Sequence, residues 1–328
     1  MTRQPRDLQA QRWLEYVAEI RDRPDTPFEE QWEVYTRTFA DRDPELPPPP
    51  AWRPDHDRRT HANITAMMRE LGIGDYSAFH RWSCINREAF WGRVIERLQI
   101  QFTTPPERFL ESGDDIRNPS WLPGAKLNIA SSCFSLGSEL AVISGREGTD
   151  ELTAVTSAEL EELVNRVAHG LREHEIEAGA AVALYMPMNL ECVAAYLGIV
   201  RAGCAVVSIA DSFAPPEIRR RLEIVGASAI ITVDAFSRGG RTHALYEAVR
   251  AATAPRAIVL SSDDRPPVGL RDGDLLWEDF LGDAAPFEPV AALPETITNI
   301  LFSSGTTGDP KAIPWTHLTP IKCAMDGH

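Results

Sequence analysis

The chain has 328 residues, 43% of them hydrophobic, enough to bury a core in one large domain or two ordinary ones. Acidic residues outnumber basic ones by 48 to 33, a formal charge of -15, which opposes the phosphate contacts that sequence-independent nucleic-acid binding needs. The start, MTRQPRDLQAQRW, lacks a signal-peptide core and no apolar run approaches the ~18 residues that span a bilayer, so a soluble, cytoplasmic protein without a membrane span is expected.

Two stretches near the start, LQAQRWLEYVAEIRD and FEEQWEVYTRTF, carry helical patterning and end at DPELPPPPAWRPD, where Pro47 to Pro50 forbid helix. Helical patterning returns from Asn63 to Ile100, with Phe79, Trp82, Phe90, Trp91, Val94 and Leu98 as packing residues. From Leu140 the rhythm changes. LAVISG and ELTAV flank the turn-rich REGTD and predict a β-hairpin, and Thr156 with Glu159 predicts a capping box for the next helix. That helix has Leu160, Leu163, Val164, Val167 and Leu171 on one face.

Strand AVALYM follows, then a helix capped by Asn189 and stopped at Gly203, strand AVVSI, helix PPEIRRRLEIV ending at Gly226, strand AIITV, a helix from Thr242, and strand RAIVL. Alternation of this kind predicts right-handed crossovers and an α/β fold with a mostly parallel sheet covered on both faces by helices. Arg219, Arg220 and Arg221 are read as the solvated face of a helix whose inner face is Ile218, Leu222 and Val225.

The five cysteines are scattered and never spaced C-x-x-C, and the eight histidines show no ligand spacing, so no metal site is expected from this chain's own residues. The chemistry is sought instead in SSGTTGDPK, Ser303 to Lys311, between the strand TNILF and the apolar run AIPW. It is not a Walker A loop, because Ala312 follows the lysine and Pro310 disfavours a helix starting there. Gly305 and Gly308 allow close backbone approach, Ser303, Ser304, Thr306 and Thr307 carry hydroxyls, and Lys311 adds a cation. Lysine occupies about one position in a hundred of this chain. These are the ingredients of a phosphate grip, and also those of a solvated glycine-rich hairpin loop.

The full string resembles the signature loop of the adenylate-forming superfamily (AMP-dependent synthetases and ligases), where it clamps the phosphates of ATP. Upstream, YSAFHRWSCINREAFWGRVIERLQI and SWLPGAKLNIASSC resemble the start of the acetyl-CoA synthetase branch. The resemblance covers residues 60–328. The patterning and the proline run mark residues 1–55 as a helical extension and proline-rich linker, and the resemblance implies an acetyl-CoA-synthetase-type N-terminal segment over 56–136 and an incomplete AMP-binding (adenylation) domain over 137–328.

The implied activity is that of an AMP-forming carboxylic acid–CoA ligase. A carboxylate attacks the α-phosphate of ATP, with Mg²⁺, to give acyl-AMP and pyrophosphate, and the thiol of coenzyme A then displaces AMP. By resemblance, Ser303, Ser304, Gly305, Thr306, Thr307, Gly308 and Lys311 hold ATP phosphates. Arg238 and Arg241, in Ser-Arg-Gly-Gly-Arg-Thr ahead of the helix capped by Thr242, meet the phosphates of coenzyme A at a helix N-terminus. No catalytic residue is assigned, because the adenylation lysine belongs to a C-terminal domain. The sequence is therefore expected to be a truncated piece of a ligase about twice as long. A non-catalytic nucleotide- or CoA-binding remnant is the alternative, and a peroxisomal address would be legible only at a natural C-terminus. His317, in a Thr-His pair after the loop, stays open between a packed and a functional role.

Overall fold

The computed structural model describes residues 8–46, 51–111, 119–135, 139–145, 147, 150–261, 269–303 and 308–327. It divides into two compact units, Met1–Trp82 and Ser83–His328. Among the described residues no helix is long and apolar enough to cross a membrane.

The first unit is helical: α1 (Leu8–Arg21), α2 (Phe28–Thr38), α3 (His56–His61), α4 (Asn63–Glu70) and the start of α5 (Tyr76–Ile85). Trp13 is buried and meets Tyr35 of α2 edge-on at 5.1 Å, while Asp55 caps α3 by accepting the Arg58 N–H at 2.8 Å. Buried aromatic anchors of this kind let short helices hold together without a large core.

The second unit opens with α6 (Arg87–Arg97), the two-residue strands β1 (Leu110–Glu111) and β2 (Ser120–Trp121), and the short helix α7 (Ile129–Ser132). Trp91 of α6 meets Trp121 edge-on at 5.6 Å. The predicted hairpin follows as β3 (Leu140–Gly145) and β4 (Leu152–Thr156), antiparallel. Thr156 then caps α8 (Ser157–Glu173): its hydroxyl accepts the Glu159 N–H at 3.2 Å, and the Glu159 carboxylate accepts the Thr156 N–H at 2.8 Å.

Thereafter strand and helix alternate: β5 (Ala181–Tyr185), α9 (Leu190–Arg201), β6 (Ala205–Ser208), α10 (Pro215–Val225) and β7 (Ala229–Val233). The small strands β8 (Phe236–Arg238) and β9 (Arg241–His243) precede α11 (Leu245–Ala251), β10 (Arg256–Leu260), β11 (Leu275–Leu276) and α12 (Trp277–Phe280). The described chain finishes with β12 (Ile297–Phe302), β13 (Ala312–Thr316) and α13 (Leu318–Gly327).

Among the described residues, seven strands form the main sheet in the order β11-β10-β7-β5-β6-β12-β13. All pairs are parallel except β12 with β13. Every residue of β5 and of β7 is buried, as strands covered on both faces must be. The connection β5 to β6 steps one way along the sheet, and β6 to β7 steps back across β5. With right-handed crossovers these steps put α9 on one face and α10 and α11 on the other. Accordingly α8 packs along α9, and α10 against α11.

Gly170 of α8 lies against the Phe280 carbonyl of α12, and a Cβ added there would fall well inside contact distance of that oxygen. A backbone carbonyl cannot swing away as a side chain can. Gly170→Ala is expected to lower the stability of this unit by about 1–3 kcal/mol despite alanine's better helix propensity. An unchanged urea midpoint would contradict the close approach of α8 and α12.

Candidate functional site

Strand β12 runs parallel to β6, so its end at Phe302 lies at the same edge of the sheet as the carboxyl ends of β5, β6 and β7. Ligands of open α/β sheets bind beyond that edge. The connection from Ser303 to Lys311 leaves from it, and its two ends are cinched together. The Ser303 N–H donates to the Lys311 carbonyl at 3.1 Å, and the Lys311 N–H donates to Ser303 Oγ at 3.2 Å. Gly308 has open space about its Cα, and Lys311 is exposed. Ser304, Gly305, Thr306 and Thr307 lie outside the described residues.

The trailing limb of the connection meets α10. Asp309 is bound by Arg220 in a two-pronged pair, Nε to Oδ1 at 3.0 Å and Nη2 to Oδ2 at 2.7 Å. Hydrogen bonding to Arg220, reinforced by its charge, holds the Asp309 carboxyl below its ordinary range. Here the expectation of a solvated arginine face on α10 holds for Arg219 and Arg220, which are exposed although each has a partner, and is corrected for Arg221, which is buried. Arg219 donates to the carbonyls of Ala252 and Ala251, both at 2.9 Å, at the end of α11. Arg221 is 4% exposed, its guanidinium 3.9 Å from the centre of the Phe213 ring and 5.5 Å from that of Phe302. The signal was in the spacing: positions 218, 221, 222 and 225 make an i, i+3, i+4, i+7 stripe, so Arg221 belongs to the inner face.

A second correction concerns the stretch around Arg238 and Arg241. It is not the N-terminus of a helix. Arg238 and Arg241 face each other across a two-residue turn between β8 and β9, and Gly239 (φ 60°) and Gly240 (φ 70°) supply the positive angles it demands. Thr242 sits inside β9, and α11 begins only after Ala244 with no side-chain cap. Arg238 pairs with Asp211, Nη1 to Oδ2 at 2.9 Å, and the Gly239 N–H donates to Glu147 at 2.7 Å. Asp211 belongs to the segment after β6, fixed by the Tyr185 hydroxyl, which donates to the carbonyls of Asp211 at 3.2 Å and Phe213 at 3.0 Å. Arg238 and the cinched connection are thus both anchored to elements that follow β6, Arg238 to the segment itself and Asp309 to α10.

His317 is a packed residue, 2% exposed. Its Nδ1 accepts the Ile129 N–H at 3.2 Å, which leaves the proton on Nε2. Next to it Asn128 is equally buried and donates to the carbonyls of Val200 and Val290, both at 2.9 Å. The two side chains brace α7, the end of α9 and the strand after the loop into one body. Burial pushes the His317 imidazole down to about 4 from an ordinary 6.5.

The chain belongs to the family described as AMP-binding enzyme, which matches residues 137–326, and the description "Acetyl-coenzyme A synthetase N-terminus" matches residues 76–133. It is similar to a protein named hexanoyl-CoA synthase from Cannabis sativa, 39% identical over 97% of this chain and 47% of that protein. Probable acyl-activating enzyme 17, peroxisomal, from Arabidopsis thaliana is 40% identical over 92% of this chain and 45% of its own. Among solved structures, the acetoacetyl-CoA synthetase from Streptomyces lividans superposes with a TM-score of 0.72 at 31% identity, over 82% of this chain and 44% of that one. The chain spans just under half the length of these relatives.

The shifted imidazole sets a pH signature. His317 is neutral in the fold at any pH above about 4 but protonates near 6.5 when unfolded. Its contribution to stability is therefore complete above pH 6.5, falls as pH drops toward 4, and is gone below, a total of about 3 kcal/mol. His317→Asn, which keeps an acceptor for Ile129, is expected to flatten that limb of the stability curve. Superimposable pH–stability curves for the two proteins between pH 4 and 6.5 would contradict this.

Proposed function

We propose that this chain carries the polyphosphate-binding part of an AMP-forming carboxylic acid–CoA ligase. The observation that carries the reading is the connection after β12: a family-type Ser/Thr/Gly stretch ending in lysine, cinched by Ser303 and Lys311 at the carboxyl edge of a parallel sheet. Adenylation of a carboxylate asks a protein chiefly to fix the triphosphate and to spread its charge. Both demands match what this stretch offers.

The backbone N–H groups of Ser303 and Lys311 are already used to close the connection, so they are not the donors. The Ser303 hydroxyl still has its own proton to give, and the exposed Lys311 ammonium supplies a point charge. With the amides and hydroxyls of Ser304, Gly305, Thr306, Thr307 and Gly308, these groups would hold the β- and γ-phosphates and steady pyrophosphate as it leaves. Mg²⁺ would arrive with ATP, as part of that substrate.

Arg238 and Arg241 are our candidates for the phosphates of coenzyme A. The two arginines are register partners across a tight turn, Arg241 exposed and Arg238 held by the Asp211 carboxylate, so Arg241 supplies the cation nearest to hand for a phosphate. The acid is a carboxylic acid, as the names of the relatives suggest for those proteins. A cytoplasmic location completes the proposal.

Titration calorimetry tests it. Lys311→Ala is expected to weaken MgATP binding by about tenfold, the loss of one charge-assisted contact. Equal affinities, or no heat with the unaltered protein, would reject the reading. Arg241→Ala is expected to weaken coenzyme A and leave MgATP unchanged, and an equal loss for both ligands would refute the separate assignment.

A further inference from the structure

The two-pronged pair between α10 and the trailing limb of the connection joins residues 89 apart in sequence. We propose that Arg220 is a positioning residue of the polyphosphate grip: it holds Asp309 against α10, and with it Lys311 opposite Ser303, and it cancels the only carboxylate in the Ser303 to Lys311 stretch. The inference rests on the polyphosphate reading given above.

Asp309 follows Gly308 directly and stands two residues before Lys311. A bare carboxylate at that place would repel the ligand that the lysine attracts. Arg220 removes the conflict with a planar fork matched to both carboxylate oxygens, which fixes direction as well as charge. Its neighbours on α10 have partners of their own. The preceding Arg219 is committed to the end of α11, the following Arg221 to the Phe213 ring, and Glu223 lies 3.6 Å from Arg220 on the same helix.

Arg220 and Asp309 are both largely exposed, so the pair adds little to global stability. Its consequence is local. It decides where one limb of the connection sits, and an exposed pair is strong enough for that when only one limb must be ordered.

Lysines are so few that one protease reads the limb directly. Endoproteinase Lys-C can cut after Lys126, Lys311 or Lys322. Lys126 is tied by backbone hydrogen bonds in both directions to Thr104, and Lys322 lies within α13. Arg220→Ala is expected to speed nicking after Lys311 by about two- to fivefold, the range an exposed pair supports. Arg220→Lys should restore protection only partly, because an ammonium cannot match the fork. The swap of Arg220→Asp with Asp309→Arg should restore it. Equal nicking in all four proteins would overturn the proposal.

Protection by tripolyphosphate supplies the second reading. Arg220→Ala should need more tripolyphosphate for protection than the double variant Arg220→Ala, Asp309→Asn, because only the single variant leaves a stranded carboxylate. Equal requirements would overturn the charge-cancelling role. If tripolyphosphate protects none of the proteins, the unaltered one included, the polyphosphate reading fails, and the order of nicking rates still decides whether Arg220 holds the limb.

Discussion

The burial of both faces of the sheet at its centre, in β5 and β7, is the constraint from which the candidate site follows. β5 and β7 have no solvent face at all. Parallel neighbours of that kind must be joined by helices, and the right-handed sense of each crossover sends α9 to one side and α10 and α11 to the other. All the connections that leave β5, β6, β7 and β12 therefore emerge at one edge. The stretch after β12 is too short for a crossover helix, so β13 returns antiparallel and the stretch is held at that edge as the tip of a hairpin.

Charge is organised locally against the average. The chain carries a formal charge of -15, yet guanidiniums gather at the carboxyl edge, each with its own partner: Arg220 with Asp309, Arg221 with Phe213, Arg238 with Asp211. Pairing keeps them in place without burying them unpaired, and a ring face lets Arg221 stay 4% exposed at lower cost than an apolar wall would. By contrast the brace of Asn128 and His317 uses neutral groups only, since a charged imidazole at that depth would lose its solvation.

Most of the fold was legible because its signals are local. The Thr156 and Asn189 caps, the apolar run of β5 and the glycine after α10 each act within a few residues, and each stands where the pattern put it. What escaped depends on tertiary partners or on elements too short to show a period. β8 and β9 have three residues each, so the paired glycines between them read as a loop before a helix, although two adjacent glycines between short runs are also a hairpin signal. Arg221 was assigned by its charge when its helical spacing pointed inward. The partner of Asp309 lies 89 residues away, and that of His317 Nδ1 lies 188 away, separations that no pattern of neighbours encodes.

The central claim is that the cinched connection after β12 grips a polyphosphate. A crystal structure of this chain soaked with MgATP tests it most directly. The account predicts the terminal phosphates within hydrogen-bond distance of Ser303 Oγ and Lys311 Nζ, at the carboxyl edge of the sheet. Phosphates bound elsewhere, with Ser303 and Lys311 closed only on each other, would contradict it.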